Sequence, residues 1–196
     1  ERHKKKTGEV LFVGRLESRK GVSVLAEAMP LVLKKCPDAS FRFIGSDGTD
    51  PQGRSWRQIL KESVLPADRS RIAFEQIPRS ELPDRYREAS LCVLPSIWEN
   101  FPYVLLEAMA CGTPIVATRT GGMIELVEER VSGLLCPPED PTALAGAICE
   151  ILGDPARGED LGKNGRRRVE EIFSVERVVP KMLEIYQSIL AEERSS

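Results

Sequence analysis

Histidine is almost missing from this chain: His3, inside the charged leader ERHKKKTGEV, is the single one in 196 residues. That excludes a Ser-His-Asp or Cys-His pair supplied by this stretch, and it excludes a multi-histidine metal site. The five cysteines (Cys36, Cys92, Cys111, Cys136, Cys149) stand singly, with no CxxC spacing. Scattered beside apolar neighbours, they predict free, buried thiols in a reducing, cytoplasmic compartment. No apolar run approaches the roughly 20 residues of a membrane span, and the leader lacks the apolar centre of a signal peptide. With 28 Lys and Arg against 30 Asp and Glu, the formal net charge is −2, so the basic excess of a nucleic-acid binder is absent too. No Asp-x-Asp occurs. Whatever chemistry the chain supports must use carboxylates, Arg and Lys, and backbone amides.

What is present is the composition of an ordinary globular domain, 41% hydrophobic and 30% charged, at a length that suits one domain or two small ones. Short apolar runs of strand length lie at 9–13, 40–44, 72–74, 91–94, 114–118 and 133–136. Helical patterns alternate with them, at 24–32, 56–64, 81–89, 102–110 and 124–129. Beyond Gly133 the pattern is helical, at 142–152, 161–173 and 175–191. Strand-helix alternation with short links predicts a mainly parallel sheet with right-handed crossovers and helices on both faces. The expected fold is therefore α/β, a single doubly wound, Rossmann-like domain with a helical C-terminal tail. Ligands of such sheets bind at the carboxyl edge of the strands, so the loops following the strands are the first place to look for a site.

The first of these loops reads Gly14-Arg15-Leu16-Glu17-Ser18-Arg19-Lys20-Gly21. Arg15 follows the strand directly and Lys20 stands where the next helix begins, so both cations lie beside helix-start amides that favour anions. They would grip a diphosphate, Arg as a fork and Lys as a mobile point charge; two solvated surface cations have the same spelling. The loop is not a Walker loop, since the GK[ST] ending is missing. The second loop runs from Pro95 through Glu99, Asn100, Phe101, Pro102 and Tyr103 into VLLEAMA. Pro102 suits the first turn of a helix, leaving unpaired amides near Phe101–Val104 as an anion site. Glu107 lies five residues in, roughly 7.5 Å along the axis, comparable to the span from a nucleotide's phosphates to its ribose hydroxyls. Glu99, on the other side of the helix start, would meet a group attached beyond the phosphates. A solvated or locally capped glutamate remains the plain alternative for each, although Glu107 sits in an apolar context where an unpartnered carboxylate is costly. The third loop, Thr118-Arg119-Thr120-Gly121-Gly122, either lets backbone approach a ligand or makes a tight turn.

GRLxxxKG, the Glu99 and Glu107 pair with seven residues between, EAMACGTPIVAT, TGG followed by Glu125-Leu126-Val127, and VSGLLCPPED occur here in one order. Together they resemble the carboxyl-terminal, donor-binding domain of a retaining glycosyltransferase of the GT-B type, in the large group-1 (GT4) family, over residues 9–191. The resemblance implies a nucleoside-diphosphate sugar (UDP-, GDP- or ADP-linked) as donor substrate, with no cofactor and no metal. By position it puts Gly14, Arg15 and Lys20 at the diphosphate and Glu107 at the ribose. Glu99 falls at the sugar, Asn100, Phe101, Pro102 and Tyr103 near phosphate or sugar, and Ile77 near the base. Arg15, Lys20 and Glu99 would act on the reacting group. Two departures from the family pattern are visible. The loop after the third strand is shorter than the glycine-containing version, and Pro102 stands where glycine often follows the aromatic.

The resemblance also implies a partner half, the N-terminal acceptor-binding domain, for which no counterpart occurs within these residues. The expectation is an excised fragment or a two-chain enzyme that binds nucleotide but does not transfer sugar alone. No transmembrane segment is expected, although the other half would be free to touch a membrane. The expected organisation is a leader or linker over 1–8, including Lys4-Lys5-Lys6, the donor domain over 9–173, and a C-terminal helix and tail over 174–196. The final helix would turn toward the missing half or pack on its own sheet. Competing functions are a non-catalytic nucleotide-sugar-binding subunit or regulator, and another GT-B-shaped enzyme such as a nucleotide-sugar epimerase or a glycan phosphorylase. A ligand-free structural protein of the same fold is a further alternative.

Overall fold

The structure, a computed structural model, describes residues 7–195; His3 and the Lys4-Lys5-Lys6 run lie outside the described residues. Six strands form one sheet: β1 (Glu9–Val13), β2 (Ser40–Ile44), β3 (Ile72–Glu75), β4 (Leu91–Leu94), β5 (Ile115–Thr118) and β6 (Leu134–Cys136). Every pairing between them is parallel, and their order is β3-β2-β1-β4-β5-β6. The order reverses between β1 and β4, which makes the gap beyond their carboxyl ends the topological switch point of the sheet.

Alternation along the strands sorts the core into two layers. Val10 and Phe12 of β1, Phe41 and Phe43 of β2 and Leu91 and Val93 of β4 face one side. There they meet α1 (Val22–Lys35), α2 (Trp56–Glu62) and α6 (Pro141–Gly153), whose Leu25, Met29, Leu60 and Ile148 are fully buried. Leu11, Ile44, Cys92, Leu94, Ile115 and Ala117 face the other side. They meet α3 (Leu82–Glu88), α4 (Tyr103–Ala110) and α5 (Met123–Leu126). Burying each such side chain contributes about 1.5–3 kcal/mol, and the double layer fixes where every strand ends. The helix α7 (Pro155–Arg168) packs on α4 and α6 through Gly158, Gly162 and Gly165, which are buried.

Several details depart from the sequence reading, among them the start of α7 at Pro155 where the pattern predicted 161. Helix α4 begins at Tyr103, with Pro102 in an extended conformation (φ −79°, ψ 104°) as its cap residue rather than in its first turn. Helix α5 is a single turn, ending at Leu126 where the pattern predicted 129. All five cysteines are free, but only Cys92 and Cys136 are buried; burial pushes the Cys136 thiol up to about 11 and the Cys92 thiol higher.

The last helix, α8 (Val175–Ser195), follows a π-helical turn over Val169–Phe173. Val178, Met182, Ile185, Tyr186 and Ile189 are exposed along it, so it does not pack on the sheet of its own chain. No helix among the described residues is long and apolar enough to cross a membrane.

Candidate functional site

The loops after β1 and β4 open onto the switch point and are stitched together by backbone. The Ile97 amide donates to the Arg19 carbonyl at 2.9 Å. Gly21, the cap residue of α1, sits at φ +67°, and any side chain there would strike the Pro95 carbonyl. Only glycine combines that backbone region with so close an approach. The loop after β5 closes the site from the other side. Gly121 lies at φ +49° with no room for a side chain against the Glu99 carbonyl, and the Gly122 amide donates to the Asn100 carbonyl at 2.9 Å. Of the two readings of the paired glycines, the structure shows the turn, and the close approach it makes is to the backbone of Glu99 and Asn100. Gly121 and Gly122 hold the segment that carries Glu99.

At the centre, the Lys20 ammonium forms an ion pair with the Glu99 carboxylate, and Arg19 donates to the same carboxylate at 3.3 Å. The Lys20 and Glu99 side chains are only 21% and 12% exposed, so the pair is partly shielded from solvent screening. Both flanking helices, α1 and α4, start here without a side-chain cap. Their first amides have no partner within the helix and carry the positive end of the helix dipole. The arrangement brings two cations and two uncapped helix starts around one carboxylate.

The other expected residues are distributed around this centre. Arg15 does not touch Glu99. Its side chain is 70% exposed and pairs with Glu17 at 3.6 Å, and Glu17 in turn holds Arg19 at 3.1 Å. It therefore joins the centre through a chain of ion pairs rather than directly. Gly14 contributes no free amide, because its N–H donates to the Ile44 carbonyl at 2.9 Å. Phe101 rests edge-on against Phe173 of the π-helical turn, with ring centres 6.3 Å apart, and against Tyr103. Those contacts brace the loop from outside. The Ile77 side chain packs on the core layer of α3 and α4. Glu107 is not stranded in an apolar face. It accepts from Arg79 Nη2 at 2.6 Å and from the Tyr86 hydroxyl at 3.3 Å, at a cleft between α3 and α4 of about 350 Å³.

Sequence reasoning missed Arg19, Arg79 and Tyr86. Arg19 and Arg79 were inside the loops already singled out, and their charge was the available signal. Tyr86 reads from sequence as one more core aromatic. A larger concavity of about 780 Å³ lies between α1, α2 and the segment 50–54, away from the Lys20 and Glu99 pair.

The family model for glycosyl transferases group 1 matches residues 1–168. The chain belongs to that family. Among group 1 relatives, the D-inositol 3-phosphate glycosyltransferase of Corynebacterium urealyticum is 33% identical over 180 residues, which span 91% of this chain and 42% of the relative. Among solved structures, the sucrose-phosphate synthase of Thermosynechococcus elongatus superposes with a TM-score of 0.80 at 39% identity, over 94% of this chain and 46% of that one. HepE of Anabaena, solved in complex with UDP and glucose, gives 0.78 at 26% identity, over 92% and 48%. The chain spans less than half the length of each of these three proteins.

Proposed function

We propose that this chain is the carboxyl-terminal, donor-binding half of a retaining, metal-independent glycosyltransferase. The donor is a nucleoside-diphosphate sugar, UDP-, GDP- or ADP-linked, and a separate N-terminal half binds the acceptor. What carries this is the convergence, at the switch point of the sheet, of two uncapped helix starts with Lys20 and Glu99. Membership in the group 1 family and the UDP held by the Anabaena neighbour support the same donor class. Residues 9–173 form the donor domain, 174–196 its C-terminal helix and tail, and 1–8 a linker. A cytoplasmic location accords with five unpaired thiols.

In this scheme the diphosphate takes the place of the Glu99 carboxylate as the main partner of Lys20. Arg15, exposed and tethered only to Glu17, swings onto the same phosphates, and the first amides of α1 and α4 complete the cradle. As the glycosidic bond breaks, negative charge grows on the leaving diphosphate. Fixed cations and dipoles aimed there stabilise the transition state more than the ground state. Glu99, released from Lys20, accepts from a hydroxyl of the transferred sugar. Glu107 accepts from the ribose hydroxyls, and the base lies near the backbone of Ile77.

Titration calorimetry of the chain with UDP, GDP and ADP tests the proposal. Weak binding of at least one is expected, with no sugar transfer by this chain alone. A folded sample that gives no heat with any of the three overturns it.

A further inference from the structure

We propose that Tyr86 is a positioning residue for ribose recognition, its buried hydroxyl holding the Glu107 carboxylate so that both of its oxygens keep a lone pair for a diol. The inference rests on the assignment of Glu107 to the ribose made above and adds the device that makes the carboxylate selective. Three contacts define that device. The Tyr86 hydroxyl donates to Glu107 Oε2 at 3.3 Å, Arg79 Nη2 donates to Oε1 at 2.6 Å, and Thr113 Oγ1 donates to the Tyr86 carbonyl at 2.7 Å. Tyr86 is 1% exposed, whereas the Arg79 side chain is 83% exposed. One end of the carboxylate is therefore tied to the core and the other to a group free to move.

Each carboxylate oxygen accepts two hydrogen bonds. With one position on Oε2 used by Tyr86 and one on Oε1 used by Arg79, one remains on each oxygen, which matches the two hydroxyl donors of a ribose. Burial raises the Tyr86 hydroxyl far above its ordinary range, with Cys92 and Glu107 adding to the effect, so the group stays a donor. Glu107 lies within α4 and Thr113 just beyond its end, so Tyr86 holds the helix through its hydroxyl and the segment that follows it through its carbonyl. Without the hydroxyl, the carboxylate is left to the mobile Arg79 and loses its fixed orientation.

The experiment measures, by calorimetry on the chain, the affinity ratio of a nucleoside diphosphate to its 2′-deoxy counterpart, with UDP, GDP and ADP and their deoxy forms as probes. Wild type is expected to favour the ribo form by about tenfold, the value of a hydrogen bond to a charged group. Tyr86→Phe is expected to lower that ratio about fivefold, as loss of one neutral-to-charged tether would. Thr113→Val removes the backbone anchor of Tyr86 but keeps its hydroxyl donor, and is expected to lower the ratio less than Tyr86→Phe does; an equal or larger fall would overturn the role given to the hydroxyl. A purely structural role for Tyr86 would weaken ribo and deoxy forms alike and keep the ratio, which overturns the inference. Glu107→Gln separates the two levels. If it abolishes the ratio while Tyr86→Phe does not, the positioning role falls alone. If it leaves the ratio intact, or no probe binds wild type, the Glu107 assignment falls and this inference with it.

Discussion

Lys20 and Glu99, 79 residues apart in sequence, meet as an ion pair directly over the switch point between β1 and β4. An incoming diphosphate must compete with the Glu99 carboxylate for the same ammonium. The expected consequence is that Glu99→Gln binds a bare nucleoside diphosphate as well as wild type or up to about fivefold tighter, since removing a competing charge is worth on the order of 1 kcal/mol. The same variant loses the extra affinity for the sugar-bearing form. Calorimetry with paired nucleotides checks this. An equal loss for both would mean that Glu99 supports the loop instead.

Arg15 is exposed, and its ion pair with Glu17, the one it makes among the described residues, is a surface pair. Such pairs contribute about 0–1 kcal/mol, so Arg15→Ala is expected to leave the melting temperature nearly unchanged. Diphosphate affinity should fall about tenfold, the scale of a charge-assisted hydrogen bond, while affinity for the free nucleoside stays constant. Parallel losses for nucleoside and diphosphate would remove Arg15 from the phosphate site.

Gly121 combines a left-handed backbone with a side-chain position occupied by the Glu99 carbonyl. Gly121→Ala is expected to destabilise the fold by about 2 kcal/mol or more and to weaken nucleotide binding by displacing Glu99. Gly146→Ala, in α6 where a methyl group meets nothing, should instead stabilise by roughly 0.5–1 kcal/mol. Thermal denaturation of the two variants side by side reads the contrast. Equal melting temperatures would show that the loop yields freely.

Among the described side chains of helix α8, none joins either core layer. Removing residues 175–196 is therefore expected to leave both the melting temperature and the nucleotide affinity within error, and to reduce self-association caused by its exposed apolar residues. Phe173, which braces Phe101, is kept in that truncation; a further cut that removes it should weaken nucleotide binding. A large drop in stability on deleting α8 alone would show that it is held by the domain after all.

The strands were legible to within a residue because each is a short, apolar-rich run bounded by turn residues, and the central strands at 91–94 and 115–118 are nearly continuous in apolar residues, as buried parallel strands are. Helix ends were less so. The start of α4 at Tyr103 follows from the extended backbone of Pro102, and α5 is cut short at Leu126, where the chain turns extended at Val127. Lys20 and Glu99 were recognisable as site residues because each follows a strand whose carboxyl edge the topology brings to the switch point.

Periodicity and composition are local properties, and they were enough to specify a doubly wound sheet and the loops that carry the charge. Which charge meets which is another matter. That Arg19 rather than Arg15 reaches Glu99, that Arg79 and Tyr86 share Glu107, and that the apolar residues Val178, Met182, Ile185, Tyr186 and Ile189 of α8 stay exposed follow from distances between segments far apart in sequence. Those distances exist only once the helices have packed on the sheet, because side-chain contacts across a core are set by the layers and not by the order of residues.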